Sequence, residues 1–507
     1  MARRLLMLAL LVWLCLPLHR TLAESGVNRA LLVGCDHFVT QEDTSPSSEN
    51  NVTRMAQALS GGAMNLETLV TRSTGVSGPE ELMTLIRDAF ADAVEGDVNY
   101  FYISTHGLWE QGTPNDEMTL LLSDGHRENG ITARQLRDCF DEIPGTKVLM
   151  LDACHSGAVI GKGIHAPFDN VFEGPDYKVI CSSGGAEESW FWSGQIGDTQ
   201  LTGAGYFSGA LVNGLSVAGG YGADDNNDGV ITLTELKRYL LDHHGVSTVR
   251  VYPEEDDFAV MTYDAASFNS RRRDATISNV SFGADVLSAD HPTVDFTFNI
   301  VHSTQVAYQL VYHRGDRWDF TRSRLLYDDA ERFGVFGDAR GFLSPGMKER
   351  TITLDRADTG SYGYVLLQLI TLDSGTPSLV TSRVLCVPPE QGDPMIDILT
   401  EDSFAPESYD ELSIIVHHAF PCELTVTVED MEGTTVRRLT SREPTRPTQL
   451  QPQGSAYCWN GRMNNGSPAP AGQYRIRVKA YVGKERYEAV SEAFELEGTG
   501  NDVGGGF

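Results

Sequence analysis

Basic residues are scarce in this chain. Its 507 residues carry 39 Lys and Arg against 70 Asp and Glu, a formal net charge of −31. Nucleic-acid binding needs clustered cations to replace the counterions of phosphate, so that class of partner is excluded. The surplus carboxylates read first as a solvated surface. Long apolar runs are scarce too, and beyond the N-terminus no stretch is apolar enough to cross a bilayer. Cysteine is thin, with eight in all, one of them near the N-terminus. Apolar residues make up 41% of the chain, enough for most of it to fold. Its length argues for roughly two to four domains.

The N-terminus reads MARRLLMLALLVWLCLPLHRTLAES. Arg3 and Arg4 precede an apolar run, and small residues follow at Thr21-Leu22-Ala23. This is the pattern of a secretory signal peptide over residues 1–23. A secreted protein is therefore expected, periplasmic, surface-held or released, with no stable membrane span once the signal is removed. Seven cysteines remain beyond it, at 35, 139, 154, 181, 386, 422 and 458. An odd number leaves at least one free thiol. Cys422 and Cys458 fall in one β segment and are candidates to pair.

From 27 to 265 strand and helix patterns alternate. Strands are expected at Ala30–Val33, Leu66–Val70, Val98–Ser104, Met118–Leu122, Lys147–Leu151 and Tyr177–Cys181. Helices are expected at Asn51–Leu59, Pro79–Val94 and Thr132–Phe140, the last capped by Thr132. Such alternation implies a mainly parallel sheet flanked by helices. Ligands of such sheets bind beyond the carboxyl ends of the strands.

Two of those ends carry chemistry. One runs Asn99 to Ser104-Thr105-His106-Gly107. The other runs Leu149 to Asp152-Ala153-Cys154-His155-Ser156-Gly157. A thiol nucleophile needs its proton removed, and imidazole does this best near neutral pH. Neighbouring strands would bring His106 and Cys154 to one edge. Gly107 leaves its backbone N–H unshielded, and the Cys154 N–H is a second donor for an oxyanion. His155 is a rival base, but adjacent to Cys154 it normally points away.

The joint pattern resembles the caspase-like cysteine peptidases, the broad group of caspases, metacaspases, gingipains and clostripain, whose His precedes the Cys by about 50 residues. The segment DACHSG is closest to the metacaspase and bacterial forms. The resemblance implies hydrolysis of peptide bonds in protein or peptide substrates. Cys154 would be the nucleophile, His106 the general base, and Gly107 part of the oxyanion hole, with no cofactor required for the chemistry. Gly205–Leu215 is similar to the family's helix after its substrate loop, and Asp256-Asp257-Phe258 to its closing strand. Ser104 and Asp152 fall where metacaspase-like enzymes bind a basic side chain, implying cleavage after Arg or Lys. A further family acid falls near Asn51, where this chain departs from the pattern. Glu187 and Glu188 are candidates to supply that charge.

Residues 224–235, DDNNDGVITLTE, match the twelve-residue calcium loop at each required position. Asp224, Asn226, Asp228, the Val230 carbonyl and Glu235 would be the ligands, and Gly229 the sharp turn. The rival reading is an acidic turn capped by its own side chains. No clear helix precedes the loop, so it would be a half-site.

Beyond about 270 helical periods vanish and short alternating strands appear. They read as two all-β immunoglobulin-like sandwich domains, at 275–388 and 395–497, before a Gly-rich tail at 498–507. The second contains Trp459-Asn460-Gly461 and Gly472-Gln473-Tyr474. It resembles the FlgD-like module of secreted bacterial proteins, with Trp459 as a core residue. Such modules space, attach or dock, which makes the cell surface a candidate partner. Two other functions remain open. One is a non-catalytic binding or adhesion protein on a peptidase-like scaffold. The other is a thiol acyltransferase using the same pair.

Overall fold

A computed structural model of the chain describes residues 26–497. It leaves out 111, 165–167, 197–198, 245, 267, 269–276, 285, 287–291, 315–316, 328–341, 354–362, 374–375, 388–395, 407–410, 419 and 446–453. The expected signal segment 1–23 and the tail 498–507 lie outside the described residues.

The centre of the N-terminal unit is a six-stranded sheet. It is built from β1 (Asn28–Gly34), β2 (Leu66–Arg72), β3 (Val98–Ser104), β7 (Thr146–Asp152), β8 (Tyr177–Cys181) and β12 (Arg250–Tyr252), in the order β12-β8-β7-β3-β1-β2. All neighbours are parallel except β12, which runs against β8. The apolar runs are continuous because both faces are covered. On one face Leu31, Val33, Phe101, Ile103, Leu149 and Leu151 join a core with α2 (Pro79–Ala89) and α3 (Ala133–Asp141). On the other, Leu32, Tyr100, Tyr102, Val148 and Met150 pack with α1 (Ser47–Gly61), α4 (Tyr206–Leu215) and α5 (Leu233–His243). Thr132 caps α3 with a reciprocal Gln135 bond, as its sequence implies.

Two sequence expectations are corrected. The Met118–Leu122 strand is β5 (Thr119–Ser123), and it does not join the parallel sheet. It pairs antiparallel with β4 (Gly107–Leu108) and β6 (Glu128–Thr132) in a separate small sheet. Among the described residues only a three-residue 3-10 turn, Asn115–Glu117, lies between β3 and β5, too short for the crossover that a parallel neighbour needs. Asp256-Asp257-Phe258 is not a strand. Asp256 turns to pair with Lys178 at 2.6 Å, and the closing strand is Arg250–Tyr252. A last pair, β11 (Val230–Thr232) and β13 (Ala259–Thr262), straps the loop before α5. A hairpin, β9 (Phe191–Ile196) and β10 (Thr199–Gly205), leads into α4.

The C-terminal half is all strand among its described residues. Ile277–Phe282, Thr293–Ile300 and Gly346–Thr353 form one sheet. Thr304–Arg314, Arg317–Tyr327, Gly363–Asp373 and Thr376–Val387 form the next. Phe296, Phe298, Leu310 and Leu367 fill the layer between them. In the last unit Trp459 is buried with Ile414, Val426 and Ile476 between two further sheets. Cys422 and Cys458 are unpaired: Cys422 is buried on the core side of its strand, whereas Cys458, next to the buried Trp459, takes the opposite face of its own. The β units touch the first domain directly. Ser382 Oγ lies 2.8 Å and 2.5 Å from the carbonyls of His243 and His244 at the end of α5. Arg250 pairs with Glu443 at 3.2 Å.

Candidate active site

Register builds the site. In the parallel pair β3·β7, Ser104 stands opposite Asp152, the last residue of each strand. His106 and Cys154 each lie two residues further on, so both leave the sheet at one edge. They border one cavity of about 600 Å³, together with Gly107, Ser104, Asp152, Asn51, Glu188, Ser189 and Gly205. The five peptidase-site residues expected from sequence are thus brought together.

His106 is half-buried. Its Nε2 lies 2.9 Å from the Glu42 carbonyl, and its ring packs on Phe38 at a centroid distance of 4.5 Å. A carbonyl only accepts, so Nε2 is the donor in this bond and Nδ1 is the ring nitrogen that takes no part in it. Gly107 pairs with Leu120, and the Leu121 N–H donates to the His106 carbonyl. Gly107 is therefore on a rung of β4·β5 without hydrogen bonds, and its N–H takes no part in that ladder. A side chain there would collide with the Cys154 carbonyl oxygen, which accounts for glycine. His155 is not the base. Its backbone is left-handed at φ 60° and its Nδ1 lies 2.8 Å from the Gly185 carbonyl.

The Cys154 thiol sits against Ser189. The Ser189 N–H donates to Sγ at 3.3 Å, and Sγ lies 3.6 Å from the Ser189 carbonyl. Burial pushes this thiol up to about 12, helped by the charges of Glu188 and Asp152 and opposed by the Ser189 N–H. The thiol is protonated in this state.

Asp152 is 6% exposed. Its Oδ2 accepts from Ser208 Oγ at 2.5 Å, and Ser208 in turn meets the buried Tyr102 hydroxyl at 2.5 Å. The Ser208 backbone N–H also donates to it, so Asp152 caps α4, whose own cap residue Gly205 has no side chain. Gly205 lets the helix come down on the carboxylate, since a Cβ there would stand 2.7 Å from Oδ2. Asp152 Oδ1 accepts from Ser189 Oγ at 2.9 Å. Burial raises this carboxyl above the usual range, against the lowering by the serine donors. Asn51 donates to Ser104 Oγ at 3.0 Å and accepts from the Gly205 N–H at 2.8 Å. No Lys or Arg is among the residues lining the cavity, while Glu42, Asp152 and Glu188 are.

Glu187 does not supply pocket charge. It is buried and accepts from Thr248 N–H, Thr248 Oγ1 and Gly184 N–H at 2.6, 2.8 and 2.9 Å, bracing the loop after β8. Sequence reasoning missed Ser189, Ser208 and Tyr102. The one available signal was a helix opening on Gly205 without a capping side chain.

The sequence profile of the caspase domain, a peptidase family, matches residues 27–283, just over half of the chain. The chain belongs to the caspase domain family. Similar solved structures include caspase-1 from Spodoptera frugiperda, at 15% identity over 48% of this chain and 90% of that one, with a TM-score of 0.30. Another is a secreted C11 cysteine protease from Bacteroides thetaiotaomicron, at 11% identity over 31% and 49%, TM-score 0.22. A third is latent PorU from Porphyromonas gingivalis, at 11% identity over 43% and 20%, TM-score 0.19. No curated protein matches the chain. No helix among the described residues is long and apolar enough to cross a membrane.

Away from this site, the 224–235 loop has the turn of a calcium loop, with Gly229 at φ 87°. Asp224 accepts from the Asn227 and Gly229 amides and from Tyr263 OH, at 2.7, 3.0 and 2.6 Å. Asn226 and Asp228 accept from the Asp228 and Val230 amides, both at 2.8 Å. Glu235 is turned to its own helix, closing a capping box with Thr232. Among the described residues no three His, Cys, Asp or Glu side chains converge as a metal site. The glycine-centred turn is the one the sequence implies, while Asp224, Asn226 and Asp228 accept from the loop's own amides and the closing carboxylate is directed to its cap.

Proposed function

We propose that the chain is a secreted cysteine endopeptidase that cleaves after Arg or Lys. Cys154 passes its proton to His106 Nδ1 and attacks the peptide carbonyl. The Gly107 and Cys154 amides receive the oxyanion. His106 then hands the proton to the leaving amine, and water releases the acyl group from sulfur by the same base. The observation that carries the reading is one cavity edged by His106 and Cys154, with His106 held to the Glu42 carbonyl through Nε2 so that Nδ1 is the nitrogen available to the thiol.

The preference for a basic residue rests on Asp152. It is a buried carboxylate bonded by neutral donors, in a cavity lined by Glu42 and Glu188 and by no Lys or Arg among the described residues. A guanidinium or ammonium there would make charge-assisted bonds. Secretion rests on residues 1–23, and docking at a cell surface on the two β units. The FlgD-like reading of the last unit rests on Trp459 and Tyr474. Calcium at 224–235 is kept in the proposal as a structural ion, held by Asp224, Asn226, Asp228 and the Val230 carbonyl, with Glu235 leaving its cap to join them.

The test is hydrolysis of peptides ending in Arg, Lys, Asp or Asn by the protein without residues 1–23. Cleavage after Arg or Lys that disappears in Cys154→Ala and His106→Asn is expected. The alternative, a non-catalytic binding scaffold, is favoured by the protonated thiol held against Ser189. No cleavage of any substrate by folded protein would establish it.

A further inference from the structure

Ser189 makes three contacts that meet nowhere else in the site. Its hydroxyl donates to Asp152 Oδ1 at 2.9 Å. Its N–H donates to Cys154 Sγ at 3.3 Å, and its carbonyl faces the same sulfur at 3.6 Å. One residue therefore occupies both the charged end of the pocket and the thiol. We propose that Ser189 is a specificity-determining clasp, a stand-in for substrate that a basic side chain displaces from Asp152, and that its displacement frees Cys154. This rests on the reading of Asp152 as the seat of that side chain.

The two oxygens of Asp152 are committed differently. Oδ2 belongs to the buried Ser208, backed by Tyr102, and stays in place when the cavity is filled. Oδ1 faces Ser189, which lines the cavity. The clasp is also short. Glu187 on one side is fixed through Thr248 and Gly184, and its carbonyl takes the His155 N–H. Trp190 on the other side is fixed through its carbonyl to the Tyr206 N–H. Only Glu188 and Ser189 lie between these anchors, so a substrate side chain that takes the place of the Ser189 hydroxyl at Oδ1 pushes this two-residue segment aside as a unit, with the peptide groups that hold Sγ.

The chemistry sets the selectivity. The Ser189 hydroxyl gives the buried carboxylate one donor and no charge, whereas a guanidinium or ammonium brings the opposite charge and a guanidinium a second donor as well. A neutral substrate side chain offers no gain over Ser189, and leaving Asp152 without a donor is unfavourable. A guanidinium or ammonium displaces the hydroxyl. Discrimination against neutral residues then shows in release of the nucleophile as well as in binding.

The test follows iodoacetamide modification of Cys154 in the full chain, read by mass spectrometry of the peptide containing it, with and without agmatine. Agmatine supplies a guanidinium but no scissile bond. It is expected to raise the wild-type rate about ten-fold or more, one decade being about 1.4 kcal/mol. Ser189→Ala should start at the raised rate and gain nothing from agmatine, while Ser189→Thr keeps the wild-type response. An unchanged or slowed wild-type rate with agmatine overturns the proposal, as does a wild-type basal rate in Ser189→Ala. Hydrolysis of an Arg peptide, measured in parallel, separates the two readings. Hydrolysis without agmatine acceleration removes the clasp and leaves the peptidase, and acceleration without hydrolysis does the reverse.

Discussion

Replacing Asp152 by Asn changes the charge of the pocket and almost nothing else. The amide has the carboxylate's shape: its oxygen can keep the Ser208 donors, N–H and hydroxyl, and its NH2 can face Ser189, whose hydroxyl either donates or accepts. The side chain is nearly sealed, so the lost attraction is not made up by solvent. Hydrogen bonds to charged groups contribute about 1.5–3 kcal/mol each, so loss of about 3 kcal/mol toward a guanidinium is expected. At about 1.36 kcal/mol per decade this is a roughly 150-fold fall in kcat/KM for an Arg peptide. The matching Gln peptide should change by less than about three-fold, since its amide carries no charge to lose. Stability moves the other way. Burial raises the Asp152 carboxyl, so the folded state holds that proton more tightly than the unfolded chain. Stability is therefore lost as pH rises from the ordinary carboxyl range through the raised value. The amide removes that cost, and Tm at pH 7 should hold or rise. The assay is kcat/KM for both peptides with a thermal melt alongside. An unchanged Arg-to-Gln ratio in a folded variant would refute the assignment of Asp152.

Three other outcomes follow from the same geometry. With its thiol pushed up to about 12, resting Cys154 should react with iodoacetamide at a rate still climbing between pH 9 and 10, and a plateau below pH 9 would contradict this. The thiol's folded value exceeds its unfolded one, so this group favours folding less as pH rises past about 9 and through 12. Gly107→Ala drives a methyl group into the Cys154 carbonyl, and strain of about 1–3 kcal/mol should lower Tm by several degrees and depress hydrolysis together. Millimolar calcium should raise Tm in wild type and not in Asp224→Ala, and equal melts with calcium and with chelator would remove the ion from the loop.

Much of the first domain was legible because its strands are buried on both faces. Runs such as Leu149–Leu151 have no polar interruption, and their ends announce themselves in Asp152 and Ser104. Those ends marked His106 and Cys154 as candidates, and the family resemblance gave them their expected roles. Ser208 and Tyr102 were hidden for a physical reason. Tyr102 reads as one more large residue in an apolar strand, and Ser208 as a small residue in a helix. Only the packing of α4 onto the sheet joins them to Asp152. Glu187 shows the converse. Its charge and position suggested the pocket, yet burial and three donors make it a brace. The β5 strand was seen but misplaced, because an apolar run records burial and not strand direction.

The Ser382 contact makes the family boundary differ from the mechanical one. Ser382 grips the carbonyls closing α5. One of those residues, His244, and its neighbour Ser247 both reach the Ser182 carbonyl, at 3.0 and 2.8 Å. Ser182 Oγ in turn meets both backbone groups of Ala153, the residue between Asp152 and Cys154. Tyr206, which opens α4, is buried in the same cluster as the last β unit. Cutting the chain at 283 would yield a complete domain by homology and an unsupported one by contact. The all-β half is a buttress, and the strand end that carries Cys154 leans on it.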